Sequence, residues 1–164
     1  MRLKIHHMIG KNICSELKES GLYIHKRLFL LGNLFPDLIH SYLWCRHEYK
    51  YSREFIRKKL DKIKKKPRLF SFHLGVLSHY ICDYFCYPHS ICYERGLIQH
   101  ILYEMRQKVP KNYYKLKLNN LTFSIDDLDR LVECYNIFRF AFTDDESDFH
   151  IASNVASSFL QAAY

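Results

Sequence analysis

Residues that make turns are scarce in this chain. Five glycines and four prolines among 164 residues leave too little punctuation for a sandwich or barrel of many short strands. No window holds eighteen uncharged apolar residues, so no segment reads as bilayer-spanning. The opening Met1-Arg2-Leu3-Lys4-Ile5-His6-His7 lacks the apolar stretch of a signal peptide, and a cytoplasmic location is expected. The six cysteines, Cys14, Cys45, Cys82, Cys86, Cys92 and Cys134, are then expected to be reduced thiols packed in a helical core. Period-2 alternation long enough for a strand is missing, as are internal repeats and low-complexity segments.

What is present is an ordinary globular balance, 48% apolar and 26% charged, which excludes a disordered chain. The formal net charge of +8 suggests a phosphate-bearing partner or an anionic surface. Ten histidines are an unusual load for this length, and histidine is the commonest metal ligand.

The pattern predicts an all-α, single-domain multi-helix bundle over residues 1–164. A first helix over about Lys4–Lys18 stops at Ser20-Gly21. A second, Tyr23–Leu31, is expected to end in a loop, Gly32-Asn33-Leu34-Phe35-Pro36-Asp37, because Pro36 disfavours helical geometry at Phe35. A third starts near Ser52 as N-cap and ends before Pro67. The fourth and most apolar, Leu69–Phe85, is closed by Pro88. A fifth covers Ile91–Gln107, and Lys111–Thr122 is a polar connection. Ser124–Asp127 and Thr143–Glu146 have capping-box form and start the last two helices.

The richest segment runs from Ser78 to His89. His79 and Asp83 are four apart and therefore share one helix face, where imidazole and carboxylate can grip one divalent cation. Pro88 turns His89 off that face towards a neighbouring ion. His100 and Glu104 repeat the four-residue spacing on the next helix. Two such pairs on consecutive apolar helices are hard to explain as packing. Nitrogen and oxygen ligands without thiolates suit zinc, with manganese or iron as alternatives. The Glu-x-x-His order of di-iron bundles and an adjacent His-Asp dipeptide are both absent.

The run His79-Tyr80-x-x-Asp83, Pro88-His89 and His100-x-x-x-Glu104 resembles the zinc-dependent phospholipase C family, whose all-helical fold is shared with the S1/P1-type nucleases. Gly32–Asp37 resembles that family's loop ending in a zinc-binding Pro-Asp. His47 stands at the distance of the histidine that follows it, with His40 too close, and His6 matches a first-helix histidine. The resemblance implies a multinuclear zinc site between helices, of two or three ions. Asp37, His47, His79 and Asp83 would hold one, and His89, His100 and Glu104 a second. His6 and the other oxygen of Asp83 would contribute to a third. Family members begin with a tryptophan whose amine ligates zinc. Here the third site is expected to be completed by water, with the Met1 amine not needed by the other two.

The activity so implied is phosphodiester hydrolysis by metal-activated water, on a phospholipid or a related phosphodiester, with Asp37 as the catalytic residue that orients or deprotonates that water. A nuclease or nucleotide phosphodiesterase on the same scaffold is the alternative enzyme. A non-catalytic metal- or membrane-binding module is the alternative of another class. The basic stretch Arg53–Arg68 is a candidate contact for an anionic membrane surface. It lacks interleaved aromatics that would stack on bases, which argues against nucleic acid. The remaining features read as structural. His25 and His40 are expected to be surface or core histidines without function, and His73 to be packed and hydrogen-bonded. Cys82, Cys86 and Cys92 are expected to fill the core, and Asp144, Asp145, Glu146 and Asp148 to favour a helix dipole.

Overall fold

In the computed structural model, described over residues 1–39, 47–63, 69–91, 93–94, 96–107, 124–141 and 145–162, seven α-helices and no strand are present among the described residues. They are α1 (Leu3–Glu19), α2 (Lys26–Leu38), α3 (Tyr49–Ile63), α4 (Phe70–Tyr84), α5 (Leu97–Arg106), α6 (Ile125–Ala141) and α7 (Asp145–Ala162), with a 3-10 turn at Tyr87–His89. The all-α expectation holds. None of the described helices is long and apolar enough to cross a membrane.

The middle of the bundle is α4, every residue of which from Leu74 to Tyr84 is buried. That follows from its sequence, which is apolar on all sides and must be enclosed on all sides. It packs against α2, α7, α3 and α1. The closest packing is with α2, where two glycines meet backbone. A Cβ on Gly32 would lie 2.0 Å from the Phe72 carbonyl oxygen, and one on Gly75 2.0 Å from that of Phe29. The two helices touch main chain to main chain at these points. α1 closes as expected, with Ser20 and Gly21 amides bonded back to Glu16 and Lys18 and Gly21 at φ +87°, the left-handed conformation glycine adopts at little cost.

α2 begins at Lys26, three residues later than expected, and three further boundaries differ. The segment 32–37 is the second half of α2 and not a loop. Helical bonding continues past Pro36 to the Ile39 amide, which donates to Phe35 O at 3.2 Å. Packing of Gly32 and Asn33 against α4, with Pro36 itself buried, outweighs the roughly 3 kcal/mol a proline costs inside a helix. Ser52 lies within α3, not at its cap. Its hydroxyl donates to Glu48 O at 3.0 Å and pairs with Tyr84 Oη at 2.7 Å, so it needs no exposed terminal amide. α5 begins at Leu97, six residues later than expected. The Ile91 amide donates across to Asn136 Oδ1, and the extended Gly96 precedes the helix.

The Ser124 box is present, its hydroxyl accepting from the Asp127 amide at 3.1 Å while Asp127 accepts from the Ser124 amide at 2.9 Å. The start of the second box at Thr143, the Lys64–Arg68 end of the basic stretch, Pro67, the Lys111–Thr122 connection, His40, Cys45 and Cys92 lie outside the described residues.

Candidate metal centre

All eight sequence-predicted ligands come together around the C-terminal half of α4. Their donor atoms fall into three groups, His6/His79/Asp83, Asp37/His47/His79 and His89/His100/Glu104, each within 4.8 Å. The first group takes His6 from α1 and the i, i+4 pair of α4. The second takes Asp37 from the end of α2, brought to His79 by the glycine crossing, and His47 from just before α3. The third takes His89 from the 3-10 turn and the i, i+4 pair of α5.

Asp83 is the junction. Its Oδ1 lies 3.1 Å from His6 Nε2 and 3.7 Å from His89 Nε2, and its Oδ2 lies 2.8 Å from His47 Nδ1 and 3.2 Å from His79 Nε2. The Met1 amine stands between groups, 2.8 Å from Asp83 Oδ1, 2.9 Å from Glu104 Oε1 and 3.0 Å from His89 Nε2. The expectation had set this amine apart from the His89/His100/Glu104 site. The geometry places it against two of those three residues.

The electrostatics favour the ligand forms of His6, His89, Asp83 and Glu104. For His47, by contrast, burial pulls downward but the close contact and charge of Asp83 outweigh it and raise the imidazole. Burial, helped by the neighbouring His79 ring, holds His6 down to about 3. Burial and then the Met1 ammonium hold His89 at about 4. Both rings are therefore neutral near pH 7 and offer lone pairs. For Asp83 burial pulls upward, but the Met1 ammonium, His89 and His6 outweigh it and keep the carboxyl well below its usual range. Glu104 behaves alike, with bonds from His100 and His89 overcoming its burial. Burial raises Asp37, only partly offset by His79. His79 Nδ1 donates to the Asn33 carbonyl at 2.8 Å, which fixes the tautomer and points the Nε2 lone pair at Asp37 and Asp83.

The donor set fits zinc. Five imidazoles and three carboxylates converge without thiolates, and buried Asp83 Oδ2 has no hydrogen-bond partner. Asp83 Oδ2 has imidazole nitrogens within 3.2 Å yet accepts no well-directed bond, as expected of atoms arranged for a shared cation. The ammonium among Asp83, His89 and Glu104 is itself a cation at a point of convergence.

Two contributors escaped the sequence reading. Asn33, buried on α2, orients His79 and donates from Nδ2 to Ser78 Oγ at 3.1 Å. Asp148 is not a dipole-favouring surface carboxylate. It is buried and accepts from Tyr135 Oη (2.6 Å), Tyr103 Oη (2.7 Å), the Tyr87 amide (3.1 Å) and Arg139 Nη2 (3.2 Å). It thereby ties the turn carrying His89 to the helix carrying His100 and Glu104. The signal was available: Asp148, Ala152, Val155 and Phe159 recur at helical spacing, which puts the carboxylate on the core stripe. Of the residues read as structural, His25 caps α2 by accepting from the Leu28 amide, and Cys82 and Cys86 are buried.

The site opens into a cleft of about 900 Å³ lined by Asp37, His47, His89, His100 and Glu104, with Arg2, Lys4, Leu3 and Leu97 among its other walls. A helical bundle with three His/carboxylate groups that could hold metal at the foot of an open cleft defines the class. The sequence pattern of zinc-dependent phospholipase C matches residues 5–143, and the chain belongs to that family. No curated protein and no solved structure matches it.

Proposed function

We propose that this protein hydrolyses a phosphodiester, a phospholipid in the first instance, at a centre of two or three zinc ions. Family membership supports a phospholipase C-like hydrolase. The observation that carries the residue-level reading is the junction at Asp83, whose two oxygens face different histidine groups. Asp37, His47, His79 and Asp83 would hold one ion, His89, His100 and Glu104 a second, and His6 with Asp83 would contribute to a third. Zinc, when bound, supplies an acidified water and neutralises phosphate oxygens.

The chain's own residues do the rest. Asp37 lies on the cleft side of the cluster with a raised carboxyl, suited to orient or accept a proton from the attacking water. Arg2 and Lys4 on the cleft wall draw the anionic phosphodiester in. The products are a phosphomonoester and an alcohol, diacylglycerol from a phospholipid. The basic stretch Arg53–Arg68 adds attraction to an anionic membrane surface.

The test is hydrolysis of a chromogenic phosphodiester, lost with chelator and restored by zinc, followed by phospholipid vesicles against single-stranded DNA. Zinc-dependent turnover of vesicles is expected. Turnover of DNA alone would move the activity to the nuclease branch, and a metal-loaded protein inert on all substrates would make the chain a binding module.

A further inference from the structure

The helix that supplies His100 and Glu104 carries a second face with no role in the metal centre. Leu97, Ile98, Ile101, Leu102 and Met105 are between 44% and 74% exposed, and no residue of α5 is buried. At about 100° per residue these five fall within an arc of about 140°. His100 and Glu104 occupy the arc next to it, and Leu97 at the boundary lines the cleft with them. Five large aliphatic side chains held in water on one short helix require an explanation.

The charges beside this face select its partner. Arg106 at the end of α5 is exposed, as are Arg2 and Lys4. Arg2 Nη1 donates to the Met105 carbonyl at 3.1 Å, so a guanidinium borders the apolar arc. α5 itself has no carboxylate other than Glu104, which faces the histidines. A second copy docked symmetrically would set these cations against their own equivalents, a like-charge contact that costs affinity. An anionic bilayer meets both features: aliphatic side chains enter the acyl boundary while Arg2, Lys4 and Arg106 stay with the headgroups.

We propose that the aliphatic face of α5 is a docking surface for an anionic phospholipid bilayer and lays lipid phosphodiesters against the adjoining cleft. The proposal rests on the phosphodiesterase reading of that cleft, and its test separates the two. Parent and Ile98→Glu/Leu102→Glu proteins, both zinc-loaded, are sedimented with vesicles of phosphatidylcholine containing phosphatidylserine. Hydrolysis of the same vesicles and of a soluble chromogenic phosphodiester is measured in parallel.

The double variant should lose roughly tenfold or more in vesicle binding and a like factor in vesicle hydrolysis, while the soluble substrate is cleaved as by the parent. Both positions are exposed, so helix content by circular dichroism should not change. Vesicle binding equal to the parent's overturns the docking surface, as does a parent that cleaves the soluble substrate but never binds vesicles. A parent dimer that the double variant dissociates gives the face to a second copy and also overturns it. Vesicle binding lost in the variant, with neither substrate cleaved by the parent, upholds the surface and sinks the catalytic reading instead.

Discussion

Replacing Gly75 by alanine adds one methyl group where α4 meets α2. That methyl would stand 2.0 Å from the Phe29 carbonyl oxygen and 2.7 Å from the Asn33 amide nitrogen, against ordinary contact from 3.4 Å. Both neighbours are backbone and cannot rotate away, so the helices must part by roughly 1.4 Å at the crossing. Overpacking of this kind costs about 1–3 kcal/mol or more, and the better helix propensity of alanine returns up to ~1 kcal/mol. A net loss of about 2 kcal/mol is expected, or roughly 4–8 °C in Tm for a chain of this size. The shift continues into the site. Asp37 Oδ1 lies 3.5 Å from His79 Nε2 across this interface, and a displacement of ~1 Å can cost about 100-fold in turnover. Thermal unfolding, zinc content by mass spectrometry and turnover of a soluble phosphodiester should be measured together. Metal should be lost first from the group that spans α2 and α4. A Gly75→Ala protein within 0.5 kcal/mol of the parent on the scale of ordinary surface changes, with full zinc and full activity, would refute the claim that this contact sets the centre.

Asp37→Asn keeps the shape of the side chain and removes its basicity, so turnover should fall by about 100-fold or more with a smaller loss of zinc; unchanged turnover would remove Asp37 from the chemistry. His79→Ala should deplete more than one ion, because His79 belongs to two of the three ligand groups, and elemental analysis showing loss of a single ion would argue for independent sites. Asp148→Asn strips the charge that four donors share and removes the buried ion pair with Arg139, at a cost of about 3–5 kcal/mol. At temperatures where that variant is folded, zinc should be lost from His89, His100 and Glu104 before the other ligands. Loss of stability without any selective metal loss would confine Asp148 to the core.

The residue types and their local periodicity are properties of sequence, and they were legible as such. The i, i+4 pairs His79/Asp83 and His100/Glu104 declare a shared helix face, because 3.6 residues per turn leaves few other outcomes. The apolar run of α4 likewise declares a central helix. Asp37 and His47 stand out only through motif resemblance, and the sequence predicts a loop around Asp37. Local propensity sees Pro36 and predicts a break, whereas packing of Gly32 and Asn33 against α4 carries the helix through it. Only the tertiary structure could put the Met1 amine between Asp83 and Glu104, 82 and 103 residues away in sequence. The same holds for Asp148 beneath the turn of His89 and the helix of His100. Hydrogen bonds and charge pairs of that kind depend on where helices cross. The crossing of α2 with α4 is in turn set by two glycines whose only contribution is the absence of a side chain.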